Sequence, residues 1–579
     1  MIQSKSGDLK IRLVDDPLRM ELYSVRSERL LLQIPGSALL VPDFAGSCKM
    51  EAVEKDGELQ LRFASPAIDS GWVRIRPAAP GFTLSGEFVP AGDCELNALH
   101  ILPRGTALGF YQLINFRNRH HTSAVWPELL PGMECESSTD SSDRQFAPHP
   151  AAMLLTAGSD NLFCGVSEPV AGSFGMKFRA AHYRLEQWTL EFGSRGYGLP
   201  LIGGKVFRLP EFRLFSVAEG TPFDCFRTFG EMLIREGKIP DPAWKKRFDW
   251  HRENVYCTWG DQCALAMKNL PPDVPENSVF EGGDAAPVLQ TLNEPLVRRA
   301  AEIIRRERLP IRTILLDDGW QIARGLWEPH PERFPEMRKL VDDLHREGFR
   351  VVIWWVWSEI TKNAEPFLRR EHLLANGKRL PDGELQYDFS RRSTREEYLI
   401  PLFRRLFSSE PGCLDFDGIK TDFQMEKILC EYPPEDPAWR GEENYMAHLY
   451  PFLMKTMRSF KPDAVHIGCS GNYFLAGEID INRTYDVAND DVQEHINRAR
   501  MLEATAPGTP VVLDMHLYVS NRSAWLKAAA ERNSPVHIGH LLFARDSMFI
   551  RPREASAEDW SVLREELVNP LSRRKEEKP

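Results

Sequence analysis

The sequence predicts an α/β fold: a (β/α)8 TIM barrel preceded by an N-terminal antiparallel β-sandwich domain. Three observations carry that reading. The chain up to roughly residue 230 has a period-two apolar rhythm, the part after it alternates strand-like runs with amphipathic helices eight times, and acidic residues gather at the ends of those runs. At 579 residues the chain exceeds what one core can hold. The expected division is a sandwich over 1–235, a barrel over 236–550, and a C-terminal helix with a charged tail over 551–579.

In the first half, "LKIRLV", "ELQLRFAS", "WVRIRPA", "FTLSGEFV", "YRLEQWTLEFG" and "EFRLFSVAEG" alternate apolar and polar residues between turn formers, the pattern of strands with one buried face. The segment "ECESSTDSSDRQ" is a polar loop, and "FDCFRTFGEMLIREGKIPDPAW" reads as a linking helix ended by Gly and Pro. The later strands are expected at 254–260, 312–319, 350–357, 416–423, 464–471, 485–491, 510–516 and 535–543. Helices such as "NEPLVRRAAEIIRRERL" and "PEMRKLVDDLHREG" lie between them, and only the fifth and sixth strands lack a clear one. A doubly wound open sheet is the rival architecture, but it calls for a Gly-rich phosphate turn after its first strand, and "YCTWGDQC" is not one.

Composition narrows the function. A formal net charge of −11 argues against nucleic acid or an anionic membrane as partner. No apolar run reaches the length of a membrane span, and the start "MIQSKSGDLKIRLVDD" lacks the apolar core of a signal peptide. With ten scattered cysteines and no CxxC pair, the expected setting is cytoplasmic with reduced thiols; a mature secreted or periplasmic chain fits the same start, and a homo-oligomer is compatible with the sequence.

Barrel chemistry sits at the C-terminal strand ends. There this chain places Asp317 and Asp318, Trp357, Lys420 and Asp422, Cys469, Asp490 and Asp491, and Asp514 and His516. Lys420 and Asp422 are two apart and share a face. Any one such Asp can be a turn former or helix cap. Recurrence on the second, fourth and sixth strands points instead to a functional cluster, because alternate strands feed the same interior layer. Two chemistries suit it. Carboxylates can hold a magnesium ion beside a lysine base, as in an enolase-like lyase; or two carboxylates can flank a glycosidic bond as nucleophile and general acid/base. Trp259, Trp320, Trp354, Trp355 and Trp357 suit sugar faces, with core packing as their plain alternative.

"YCTWGDQC", "ILLDDGWQ", "VVIWWVWSEI", "FDGIKTDFQ" and "VANDDV", in that order at successive strand ends, resemble glycoside hydrolase family 36. The closest resemblance is to its raffinose synthase and alkaline α-galactosidase branch. It implies a retaining exo-α-galactosidase acting on oligosaccharides or glycosides, with neither cofactor nor metal. Asp422 becomes the nucleophile, Asp490 the general acid/base with Asp491 as competitor, and Asp317 and Asp318 the partners of the 4- and 6-hydroxyls. Lys420, Trp259, Trp357, Cys469 and Ser470 become further substrate contacts. A retaining enzyme implies a short Asp422–Asp490 carboxyl separation, about 5–5.5 Å. The chain departs from the family pattern in "CSGNYF", where further glycines are usual, in Asn489 ahead of Asp490, and in a C-terminal segment without the family's β-domain. A raffinose-synthase-like galactosyltransferase is the nearest alternative, and the enolase-like lyase the alternative from another class.

Overall fold

The first half of the chain folds as antiparallel sheet because its apolar residues recur at every second position. A computed structural model describes residues 2–570 except 16, 36–38, 56–57, 103–105, 108–111, 115–132, 139–151, 158–159, 170–173, 182–183, 193–197, 218–219, 242–244, 246, 380–384, 423–433, 441, 485–490, 515–517, 548–549 and 569. The strand Leu9–Asp15 buries Leu9, Ile11 and Leu13 on one face, and Glu58–Ser65 buries Leu59, Leu61 and Phe63 likewise. An eight-stranded sheet and two five-stranded sheets result. Their inward residues, among them Ile11, Leu61, Val73, Ile75, Leu99 and Leu190, share one core. That is the sandwich expected from the alternation.

The helix Pro222–Arg235 leads out of this region, started by a capping box between Thr221 and Asp224. It buries Phe226 and Phe229 between two bodies. Phe229 meets Phe163 of the sandwich at 5.1 Å and Tyr473 of the barrel at 5.0 Å, centroid to centroid.

The second half is an eight-stranded parallel barrel, and its strands are labelled here in chain order. They are β1 (Asn254–Cys257), β2 (Ile311–Leu316), β3 (Arg350–Trp355), β4 (Gly418–Thr421), β5 (Val465–Gly468), β6 (Ile481–Arg483), β7 (Val511–Val512) and β8 (His537–Ile538). Each pairs in parallel with its neighbour from β1 to β7, and β8 pairs back onto β1. The last gap is bridged at Leu513 and Val536. β3 (RVVIWW) and β7 (VV) read as the apolar runs of strands buried on both faces, whereas β4 and β6 also carry Lys420, Asn482 and Arg483 into the interior. Val255, Leu315, Val352, Val465, Ile467 and Val512 form one interior cluster. Gly418 is required at the head of β4: a Cβ there would lie 2.2 Å from the Val465 carbonyl oxygen.

Amphipathic helices pack outside. Glu294–Arg306 is capped by Asn293, whose side chain accepts from Leu296 N at 2.9 Å, and turns Leu296, Val297, Ala300, Ile303 and Ile304 inward. Between β5 and β6 there is only the single turn Tyr473–Ala476, in keeping with the missing helix pattern. One expectation is corrected. The sixth strand is Ile481–Arg483, upstream of the expected 485–491. Residues 485–490 lie outside the described residues, and Asp491 is the cap of the helix Val492–Thr505 rather than a strand end.

Candidate active site

Asp422 directly follows β4 and is 8% exposed. Its carboxylate is divided between two neighbours: Arg483 Nη2 donates to Oδ1 at 2.5 Å, and Trp354 Nε1 to Oδ2 at 3.2 Å. Lys420 Nζ stands 3.8 Å from Oδ2. Two buried cations therefore flank this carboxylate, one from its own strand and one from β6.

Lys420 points from β4 into the barrel mouth and donates to Asp317 Oδ2 at 2.6 Å. Burial and the Arg483 charge press its pKa down, but Asp317 and Asp422 outweigh them and raise it, so the ammonium is a donor and not a base. Asp317, at the end of β2, also receives the Cys257 thiol at 3.2 Å and the Asp318 amide at 2.9 Å. Burial pushes the Cys257 thiol pKa far up, which keeps it protonated.

Asp318 faces a different set of partners. Gln321 Nε2 donates to it at 2.5 Å, and Arg324 clamps it while also pairing with Glu359. Burial raises its pKa in spite of Arg324 and Gln321. The "DDG" turn that presents both acids needs its glycine, since Gly319 has φ +112° and a Cβ would lie 2.8 Å from the Leu289 carbonyl oxygen.

On the floor, Arg483 is 1% exposed and bridges two carboxylates, donating through Nη1 to Asp514 Oδ2 at 2.5 Å. The His537 ring nitrogen Nδ1 lies 3.1 Å from Asp514 Oδ1. Burial works against the Asp514 carboxylate, but Arg483 and His537 outweigh it and hold its pKa well below the usual range. His537 is pressed down by burial and stays neutral, so its Nδ1–H is the donor. Strands β2, β4, β6, β7 and β8 thus converge on one polar network. Among the described residues β6 contributes a cation, not the expected acid.

The remaining expected residues divide in two. Cys469 is buried with its Sγ 3.7 Å from Arg483 Nη2, and burial pushes its thiol up to about 12. Trp357 is 3% exposed and stacks on Tyr445 at 5.4 Å. Ser470 has its amide, carbonyl and hydroxyl taken by Asn482 and Asn472. Trp259, half-buried at the end of β1, leans on Phe280. Asp491 is exposed, and its carboxylate accepts from Gln493 N at 2.9 Å and Glu494 N at 3.4 Å. Asp490 and His516 lie outside the described residues, so the Asp422–Asp490 spacing does too. Arg483 and Arg324 were not singled out from the sequence. A cation in a short strand reads as surface, and only the burial of its flanks marks Arg483 as interior.

Residues 288–466 match the family model of the glycosyl hydrolases family 31 TIM-barrel domain. No curated protein matches the chain. Among solved structures, the α-N-acetylgalactosaminidase NagBb from Bifidobacterium bifidum, in complex with GalNAc, superposes with a TM-score of 0.64 at 13% identity. The match covers 98% of this chain and 92% of that one. The GH36 α-galactosidase AgaA from Geobacillus stearothermophilus gives 0.56 at 12% identity, over 98% of this chain and 85% of that one. The galactosidase domain of the α-galactosidase–sucrose kinase AgaSK gives 0.56 at 14%, over 97% and 76%. At these identities the likeness is one of fold, and it extends through both the sheet region and the barrel.

Proposed function

We propose that the chain is a retaining exo-glycosidase that releases terminal α-D-galactosyl residues from oligosaccharides or glycosides. The single observation behind this is Asp422: a carboxylate at the end of β4, flanked by Lys420 and Arg483 and within reach of the mouth that Asp317 and Asp318 line. The family 31 barrel match and the galactosidase-type structural neighbours support the same reaction class. In the first step Asp422 attacks the anomeric carbon while Asp490 gives its proton to the departing oxygen, forming a glycosyl ester. In the second, Asp490 takes a proton from water, which attacks the same carbon and frees Asp422. Asp317 and Asp318 accept from the sugar's 4- and 6-hydroxyls, and Lys420 donates to a ring hydroxyl. The enolase-like alternative has less support. It needs Lys420 as a base, whereas its ammonium is engaged by Asp317 and its pKa is raised.

The test is a panel of aryl α-galactoside, α-N-acetylgalactosaminide, α-glucoside and β-L-arabinopyranoside, with the first-formed anomer read by NMR. The galactoside should exceed the glucoside by at least about a hundredfold in kcat/KM, because an unmet polar site rejects the wrong epimer. Its product should appear first as the α-anomer. No turnover on any member would end the reading, and first-formed β-product would end the retaining part. The same substrate assigns the acid. β6 ends at Arg483, and Asp486, Asp490 and Asp491 follow in the chain. Azide should rescue Asp490→Ala, whereas Asp491→Ala, which only removes a helix cap, should keep its kcat. Rescue of Asp486→Ala or Asp491→Ala in its place would move the role.

A further inference from the structure

A cavity of about 350 Å³ lies between the loops that follow β2 and β3 and the helix Ile400–Phe407. It shares no residue with the Asp317, Lys420 and Asp422 group. Its volume falls within the range of small-molecule sites, about 300–1,000 Å³. On its rim Phe367 is 68% exposed, a large apolar ring held open to solvent. A lone exposed ring is ordinary; this one stands at the mouth of a cavity whose wall mixes Leu326, Leu368, Pro401 and Leu402 with charged side chains, the mixture that a sugar's apolar face and its hydroxyls need.

The cavity walls set the chemistry. Tyr387 and Tyr398 stack at 4.1 Å, and both hydroxyls donate to the Gly325 carbonyl, at 2.9 and 2.7 Å. Arg369 pairs with Glu397 at 2.5 Å and with Glu371 at 2.7 Å, and Arg405 pairs with Glu328. Every arginine of the wall therefore already has a carboxylate, so an ionic ligand would have to break an ion pair to bind. A neutral polyhydroxylated ring would not, because each hydroxyl can accept from a guanidinium and donate to the neighbouring carboxylate at once. His372 forms part of the inner wall. It is 3% exposed, its Nε2 has no hydrogen-bond partner among the described residues, and the Glu397 carboxylate stands 3.5 Å away.

We propose that this cavity is a second carbohydrate-binding site, taking one or two units of a neutral oligosaccharide with Phe367 as the stacking platform. Arg369, Glu397, Arg405 and Glu328 meet the hydroxyls and His372 closes the inner end. The site stands whether or not the barrel mouth is a galactosidase. Native electrophoresis of the full chain through gels containing galactomannan, xyloglucan or dextran tests it. At least one polymer should retard the chain. Phe367→Ala and Arg369→Ala, both at exposed side chains, should each raise the apparent dissociation constant at least about tenfold, as expected of an anchor residue. Their kcat/KM on a small aryl glycoside should not change. No retardation of the unaltered chain by any of the three polymers overturns the site, as does retardation of the two variants equal to that of the unaltered chain. Phe367-dependent retardation in a chain inactive on aryl glycosides keeps the site and removes the galactosidase reading.

Discussion

Asp422 is the residue on which the proposed reaction rests, and its neighbours make it replaceable without collapse. If it is removed, Lys420 keeps Asp317 and Arg483 keeps Asp514. Asp422→Ala or →Asn should therefore cost at least about 10⁴-fold in kcat while the melting temperature stays close to that of the unaltered chain. Near-normal turnover in the folded variant would remove the nucleophile assignment. Arg483 is the opposite case. It is the sole described cation touching both Asp422 and Asp514, and Arg483→Met leaves two buried carboxylates without it. Breaking buried pairs of this kind costs about 3–5 kcal/mol, so denaturant unfolding should show a loss of that order. Arg483→Lys should lose less stability but still lower kcat more than it alters KM, since a single ammonium cannot span both acids. Equal stability of Arg483→Met would show that the bridge carries no weight. That Lys420 and Asp422 lie together was legible because alternation along a strand fixes which residues share a face. Arg483 was not, because the sequence does not say which cation meets acids 61 and 31 residues away on other strands.

At the scale of elements, β4 is held at its base as well as at its mouth. Asp417, just before Gly418, accepts from Val351 N and His345 at 2.7 Å and pairs with Lys461 at 3.0 Å. Burial resists its charge, but His345, Lys461 and the Val351 amide prevail and bring its pKa from the ordinary 3.8 to about 2. The folded state thus holds this proton less tightly than the unfolded chain does. The resulting stability is present above about pH 4 and is lost as the pH falls towards 2. Asp417→Asn should cost about 2 kcal/mol at pH 7, with the gap narrowing below pH 4; a gap independent of pH would refute the linkage. The sequence showed β2 and β3 well because they are largely apolar, and β4 because Gly418 and the acids on either side of it mark its ends. It misplaced β6 because Ile481–Arg483 is three residues long and two of them are polar, while the acids further on imitate a strand end. The loop after β3, which builds the Phe367 cavity, has no periodicity to read at all.

For the molecule as a whole, the two halves share a core rather than a tether. Phe163 and Phe215 of the sheets, Phe226 and Phe229 of the linking helix and Tyr473 of the barrel belong to one buried cluster, and the Tyr473 hydroxyl donates to the Phe226 carbonyl at 2.9 Å. The division into halves was legible from the change of rhythm; this weld was not, since aromatic residues in either half read equally as local core. The barrel, in turn, is closed by its last strand. His537 and Ile538 pair with Val255 and Tyr256, and the His537 ring braces Asp514. A chain ended at residue 534 should therefore show neither turnover nor a cooperative thermal transition, although Asp317, Lys420 and Asp422 all remain; measurable activity in it would show that closure is dispensable. The same seam orders events during synthesis. At ribosomal rates of about 5–20 residues per second, β8 follows β1 by roughly 15–60 s. Through that interval β1 waits with an unpaired edge, whereas Arg483 and Asp514, made only 54 and 23 residues before His537, wait roughly 1–11 s for their last neighbour. The nascent chain spends its longest exposed interval with the β1 edge open, and its yield in a cell depends on what shelters that edge.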